Sequence, residues 1–443
     1  MRANIGLLMQ RLYLREILSF MLQVNVLRQK TGWVKERLAV KNFKQLSLVD
    51  EVIALDDERK KLQADFDSLQ SKINASSKNI GKLMAAGNKE EAEQLKASVG
   101  EWKALLEPIK KNAIETEKKL DDALVLLPNL PSEKVPEGNS PDNNEVVKEG
   151  GHKPALQESA LPHWELAKKY KLIDFELGTK ITGSGFPVYT GKGARLQRAL
   201  IQYFLDYNTA AGYTEIIPPF MVNANSAFAT GQLPDKEGQM YFVTEDEFYL
   251  IPTSEVPVTN IYRDTIVKQE DLPIKMTAYS PCFRREAGSY GKDVRGLNRL
   301  HQFEKVEIVK FVEADKSYTV LDEMVTHVEH LVQSLHLPYR ILRLCGGDMS
   351  FASALTYDFE VYSAAQKRWL EVSSVSNFEA FQSNRMKCRY RDENGKNQLV
   401  HTLNGSSLAL PRIMACLLEN NQTENNILLP DVLHRYFNAG FID

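Results

Sequence analysis

Between residues 48 and 127, apolar side chains recur at alternating steps of three and four, and no other feature restricts the fold as tightly. Val52, Leu55, Leu62, Phe66, Leu69, Ile73, Ile80 and Leu83 form one run, with Arg59 and Ser76 as polar members of the seam. Ala92, Leu95, Val99, Trp102, Leu106, Ile109, Ala113, Leu120, Ala123 and Leu127 form a second. A period of 3.5 residues places each run on one stripe of a helix. Between the runs, Gly87-Asn88 suits a helix end followed by a turn. Two equal seams joined by a tight turn make an antiparallel coiled-coil hairpin. At 1.5 Å per residue, about thirty-five residues in each helix give a rod about 50 Å long. Pro108 lies inside the second helix and is expected to kink it locally. The outer faces mix Lys with Asp and Glu, which by itself describes a solvated surface. Residues 21–45 carry six Lys or Arg against one acid and are expected to form a small basic base for the rod.

Residues 128–162 are rich in Pro, Gly and Asn and read as a linker. Beyond them the period changes. Short β-rich runs such as "FYLIPT", "IKMTAYSPCFRRE", "FEKVEIVKFV" and "TYDFEVYSA" alternate with helical stretches such as "ARLQRALIQYFLDYNTAAG". This pattern predicts an α+β domain over 163–443, with a mostly antiparallel sheet flanked by helices. Neither GxGxxG nor GxxxxGK[ST] stands at a strand-to-helix turn, so a bound nucleotide would not use a Rossmann or P-loop site. The formal charge of −3 gives no global attraction for polyanions, and nucleic acid would have to be met by local basic patches. No apolar run is long enough to span a bilayer. Four scattered cysteines without CxxC spacing argue against zinc or a disulfide framework and for a reducing compartment. His327 and His330 read as helix surface. Residues 1–20 are basic and acid-poor like a targeting presequence, but read better as an extension ahead of a start at Met21.

The charges concentrate in "FRREAGSYGKDVRG", residues 283–296, followed by "FEKVE" at 303–307. As strand, loop and strand, alternation puts Arg284 and Glu286 on one face and Phe283 and Arg285 on the other. On the return strand, Phe303, Lys305 and Glu307 share a face. An arginine projecting from a sheet can bind phosphate or carboxylate bidentately, an aromatic beside it can stack a base, and a carboxylate can hold an ammonium. A salt-bridged structural hairpin is the alternative on these residues alone.

"CFRREAGSYGKDVRGLNRLHQFEKVE" resembles motif 2 of the class II aminoacyl-tRNA synthetases, in the form found in the seryl-tRNA synthetase family. Three further stretches agree. "GFPVYTGKGARLQRALIQYFLDYNTAAGYTEIIPPFMV" looks like motif 1, a dimer interface ending in Pro218-Pro219. "LNGSSLALPRIMACLLENNQ" looks like motif 3 with Arg412, and "IPTSEVP" matches the family's Thr-x-Glu element. The hairpin is similar to the family's tRNA-binding arm, so the match covers about Met21 to the C-terminus.

The resemblance implies a cytoplasmic homodimer that uses ATP and Mg²⁺, without zinc, to activate L-serine and transfer it to the 3′-terminal adenosine of tRNA(Ser). It leaves tRNA(Sec) open as a second acceptor. Carried over by position, Arg284 would bridge the serine carboxylate and the α-phosphate. Arg412 would hold the γ-phosphate and one side of adenine, Phe303 the other side, and Glu286 the adenine amino group. Arg285, Leu300, Val372 and Ser373 complete the ATP assignment, although alternation turns Arg285 away. Glu371 and Ser374 would hold Mg²⁺. Thr253, Ser254, Glu255, Glu307, Asn404 and Ser406, with Arg284, would form the serine pocket. Pro411 stands where many family members carry glycine, a change a first helical turn tolerates. A ligase acting on a carrier protein would be expected to lack the arm, and a catalytically dead RNA-binding paralogue to lose Arg284, Glu286, Glu371 or Arg412; the chain has all of these.

Overall fold

The computed structural model of the chain describes residues 24–235, 237–286 and 295–443. The segment 1–20 lies outside them, and so does Lys292, which the family resemblance would put with Arg295 and Arg299 near the acceptor end of tRNA. Two units divide the rest. One runs up to Ala39 and resumes over Phe43–Pro128; the other is Val40–Asn42 with Asn129–Asp443.

In the first unit, helices α1 (Val24–Gln29) and α2 (Thr31–Val40) precede α3 (Leu48–Ala85) and α4 (Lys89–Val125). Asp50 and Glu51 begin α3, and Glu90 and Glu91 begin α4, where the positive end of the helix dipole favours acids. Gly87, at φ +84°, takes the left-handed turn between them that a β-carbon would disfavour. Every seam position named above is buried or half-buried, and α4 runs on through Pro108. The heptad reading does not reveal a polar node near the base. Asp56, buried in α3, accepts from Arg28 of α1 at 2.9 Å, Arg59 at 2.9 Å and Lys60 at 2.7 Å. Burial raises this carboxyl, but the three cations together hold it below the ordinary aspartate range. Arg59 thus belongs in the seam because it is paired.

The second unit is organised by an eight-stranded sheet. In chain order its strands are β1 (Glu145–Gly150), β2 (Thr214–Glu215), β3 (Ile274–Phe283), β4 (Gln302–Val312), β5 (Tyr339–Arg343), β6 (Leu355–Ser363), β7 (Arg368–Glu379) and β8 (His401–Ala409). Their spatial order is β1-β5-β6-β7-β8-β4-β3-β2, antiparallel except where β2 meets β3. The helices used below are α5 (His163–Lys169), α6 (Gly191–Ala210), α7 (Ala224–Thr230), α8 (Glu255–Thr259), α9 (Ser317–Ser334), α10 (Phe381–Arg385) and α11 (Leu410–Asn420). Val306, Ile308, Val375 and Leu403 are fully buried in the core on one face of the sheet, against α6, α9 and α11. α11 starts with Pro411 in its first turn and is an intact helix.

Two expectations are corrected here. The stretch 128–162 is more than a linker: Leu130 and Val135 are buried, and residues 145–150 form the edge strand β1 beside β5. The β1 side chains are nearly all exposed, so no apolar alternation announced the strand; backbone hydrogen bonds hold it. His327 is not helix surface. Its Nε2 lies 2.8 Å from Asn208 Oδ1, and burial lowers its pKa to about 4. Among the described residues, no helix is long and apolar enough to cross a membrane.

Candidate active site

The sheet's other face floors a cavity of about 790 Å³. Side chains alternate across a pleated sheet, so every second residue faces the cavity: Lys305 and Glu307 from β4, Asn404 and Ser406 from β8, Ser374 and Ser376 from β7, Thr356 and Asp358 from β6. Register aligns them laterally, with Glu307 opposite Ser406, Asn404 opposite Ser376 and Ser374 opposite Asp358. Four strands of quite different sequence position thereby build one polar floor.

Arg284 leaves the end of β3 with its guanidinium carbon 5.3 Å from the centre of the Phe303 ring. Cys282 pairs with Phe303, and Ala278 with Glu307, which sets the face that Arg284 shares. Glu286 follows at φ +50° and its carboxylate is paired with Arg299. Arg412 comes from the first turn of α11. Its Nη1 donates to the Glu371 carbonyl at 2.8 Å, with the Glu371 carboxylate 3.6 Å away.

The acids are held unequally. Glu307 is paired with Lys305 and accepts from the Thr253 hydroxyl at 3.2 Å. Glu255, at the start of α8, accepts from Gln382 Nε2 at 2.7 Å. Burial, then repulsion from Glu307, pushes the Glu255 carboxyl up to about 7. Asp358 is raised well above the ordinary range by burial first and by Glu371 second, while accepting from the Ser374 hydroxyl at 2.6 Å. Ser373 turns its hydroxyl to the Ser406 carbonyl at 2.6 Å.

The cavity thus brings together Thr253, Glu255, Arg284, Glu286, Leu300, Phe303, Glu307, Glu371, Val372, Ser373, Ser374, Asn404, Ser406 and Arg412. Two expected members are absent from its wall. Arg285 is exposed, and its backbone N–H donates to the Gln239 carbonyl; alternation, not adjacency to Arg284, described it correctly. Ser254 is fully buried, with its hydroxyl 3.4 Å from the Ala278 carbonyl. Sequence reasoning gave no role in the site to Lys305, Asp358 or Gln382, and read Arg299 toward the acceptor end of tRNA rather than toward Glu286. Lys305 was legible from its shared face with Glu307, and Asp358 from its place in the alternation of "TYDFEV". No local signal marks Gln382.

Comparison with known proteins agrees with this architecture. Residues 21–131 match the family model for the seryl-tRNA synthetase N-terminal domain, and residues 241–421 that for the class II tRNA synthetase core domain (G, H, P, S and T). A serine–tRNA ligase of Salinibacter ruber is 50% identical over 94% of this chain and 98% of its own length. One of Akkermansia muciniphila is 45% identical over 95% of this chain and 99% of its own. The seryl-tRNA synthetase of Pyrococcus horikoshii, solved in complex with ATP, superposes with a TM-score of 0.89 at 30% identity, covering 95% of this chain and 99% of that one.

Proposed function

We infer the division of labour in the cavity from one premise: the chain belongs to the seryl-tRNA synthetase family and catalyses serine–tRNA ligation. The observation that carries the reading is the buried pair of carboxylates, Glu255 and Glu307, with the Thr253 hydroxyl donating to the Glu307 carboxylate and accepting from the Glu255 backbone N–H. Lys305 offsets one of the two acids, and the serine ammonium supplies the second cation the pair calls for. Asn404 and Ser406 close the pocket around the hydroxymethyl group. A small polar pocket of this kind rejects alanine, which leaves its polar groups unpaired, and threonine, which crowds it.

ATP occupies the remainder. Phe303 stacks on one face of adenine and Arg412 presses on the other while holding the γ-phosphate; Glu286 takes the amino group, which requires it to leave Arg299. Leu300, Val372 and Ser373 form the wall along the base and ribose. In the first step a serine carboxylate oxygen bonds to the α-phosphorus as the bond to the bridging oxygen breaks, and pyrophosphate leaves with that electron pair. The nucleophile is already an anion, so no base is required. Arg284 neutralises the crowded oxygens and aligns them for displacement. In the second, a ribose hydroxyl of the terminal adenosine of tRNA(Ser) attacks the serine carbonyl and AMP departs.

The residues near Glu371 fit a Mg²⁺ ion. Burial first and repulsion from Glu371 second raise Asp358; a divalent cation would relieve the repulsion, and the oxygens of Glu371 and Ser374 are the hard ligands magnesium prefers. When bound, the ion would screen phosphate charge.

Glu255 offers the test. With its carboxyl pushed up to about 7, roughly a tenth is ionised at pH 6 and roughly nine tenths at pH 8. A raised carboxyl ionises at a cost to the unliganded fold as pH rises, and a bound ammonium offsets that cost. The KM for serine should therefore fall about tenfold from pH 6 to pH 8 in ATP–pyrophosphate exchange, and Glu255→Gln should weaken serine binding and flatten the profile. A wild-type KM independent of pH over that range would remove Glu255 from the ammonium site.

The assembly is a homodimer in the same reading. Ile217 is 85% exposed, and with Pro218, Pro219, Met221, Phe248 and Ile261 it borders a surface hollow at the end of the motif 1 stretch. Grouped exposed apolar residues of this kind mark association surfaces. Ile217→Glu should give monomers by sedimentation; an unchanged dimer mass would move the interface elsewhere.

A further inference from the structure

Arg412 reaches the cavity on a long flexible side chain, and main-chain acceptors outside its own helix aim it at both ends of the guanidinium, the Glu371 carbonyl at Nη1 and a second at Nε. Its Nε donates to the main-chain carbonyl of Asn298 at 3.1 Å. That carbonyl lies in residues 295–300, which form no helix or strand and need to be held by other elements. Two supports are present, and both end on one carboxylate.

Glu419, fully buried on α11, accepts at Oε1 from the backbone N–H of His163 at 2.9 Å, from His163 Nδ1 at 2.6 Å and from Gln366 Nε2 at 2.9 Å. Its other oxygen accepts from the Ser363 hydroxyl. Burial raises this acid, but the bonds from His163 and Ser363 outweigh it and hold the carboxyl below its ordinary range. A carboxylate only accepts, so it dictates the orientation of its donors. His163 must carry its proton on Nδ1, which leaves Nε2 to accept the Leu297 N–H at 2.8 Å. Gln366 must turn its NH₂ to Glu419, which leaves its carbonyl to accept from Asn298 Nδ2 at 2.9 Å. The approach is close: Gly296 sits at φ +66°, and a β-carbon there would come within 2.2 Å of His163 Nε2.

We propose that Gln366 and His163 are positioning residues for ATP, holding Leu297 and Asn298 so that the Asn298 carbonyl aims Arg412. The inference rests on the assignment of Arg412 to the nucleotide. Gln366→Met keeps the side-chain length and removes both amide bonds. In serine-dependent ATP–pyrophosphate exchange it should raise the KM for ATP about tenfold while leaving the KM for serine unchanged, the effect of losing about one hydrogen bond's worth of alignment. His163→Leu should do the same. His163→Gln, which again offers a donor to Glu419 and an acceptor to Leu297, should recover most of the loss.

Arg412→Ala separates the two levels of the argument. If that change leaves the KM for ATP untouched, the role of Arg412 fails. If it raises the KM and Gln366→Met does not, the positioning inference alone fails. Equal increases for ATP and serine in Gln366→Met would also overturn it, since a general loosening would then explain the result. Should Gln366→Met not fold, Asn298→Leu breaks the same link from its other end and is read by the same criteria.

Discussion

Arg284→Ala is expected to lower kcat for serine-dependent ATP–pyrophosphate exchange by about 10²–10³, the loss typical when one preorganised donor to a developing anion is removed. The expectation follows from how the side chain is held. Its guanidinium lies against the Phe303 ring, and among the described residues no carboxylate forms an ion pair with it. The positive charge is thus presented to the cavity and already oriented, so little reorganisation is needed when phosphate arrives. Arg284→Lys should recover only part of the rate, because an ammonium cannot bridge two oxygens in the bidentate manner of a guanidinium. Exchange within about threefold of wild type after Arg284→Ala would take this residue out of the reacting centre.

The second large effect concerns the hairpin and separates the two half-reactions. Removing the whole of 49–127 would strip α1 and α2 of α3, whose buried Asp56 pairs with Arg28. A cleaner variant deletes 66–85 and 89–108 and keeps the Gly87 turn, which shortens each helix by about 30 Å and leaves the Asp56 node intact. Serine-dependent exchange should stay within about twofold, since none of the deleted residues lines the cavity. Charging of tRNA(Ser) should fall about a hundredfold or more, the loss expected if two contacts worth about 1.4 kcal/mol each disappear. Full charging by the shortened chain would show that the rod tip does not grip tRNA.

Legibility followed the range of the interaction. The hairpin could be read because a seam is a repeating local pattern, and all the apolar seam positions from Val52 to Leu127 came out buried or half-buried. Arg284, Phe303 and Glu307 could be read because alternation across one strand pair decides their face. Arg285 and Ser254 were included by neighbourhood in a motif, and the pleat and the core exclude them. The edge strand β1 was hidden in a Pro- and Gly-rich stretch because its partner, β5, supplies backbone hydrogen bonds and no side-chain pattern.

From sequence alone came the period of each segment, hence helix or strand, hairpin or sheet, and which side chains share a face; these depend on backbone geometry repeated over a few residues. Tertiary structure alone decided which charges meet. Glu255, on helix α8, is pushed toward neutrality partly by Glu307 of strand β4, and Arg412 is aimed through a chain of hydrogen bonds that passes from Asn298 to Gln366, Glu419 and His163. Electrostatic and hydrogen-bond energies depend on separations of a few ångströms in space. Those separations are set by the crossing order of the strands, which no local period encodes.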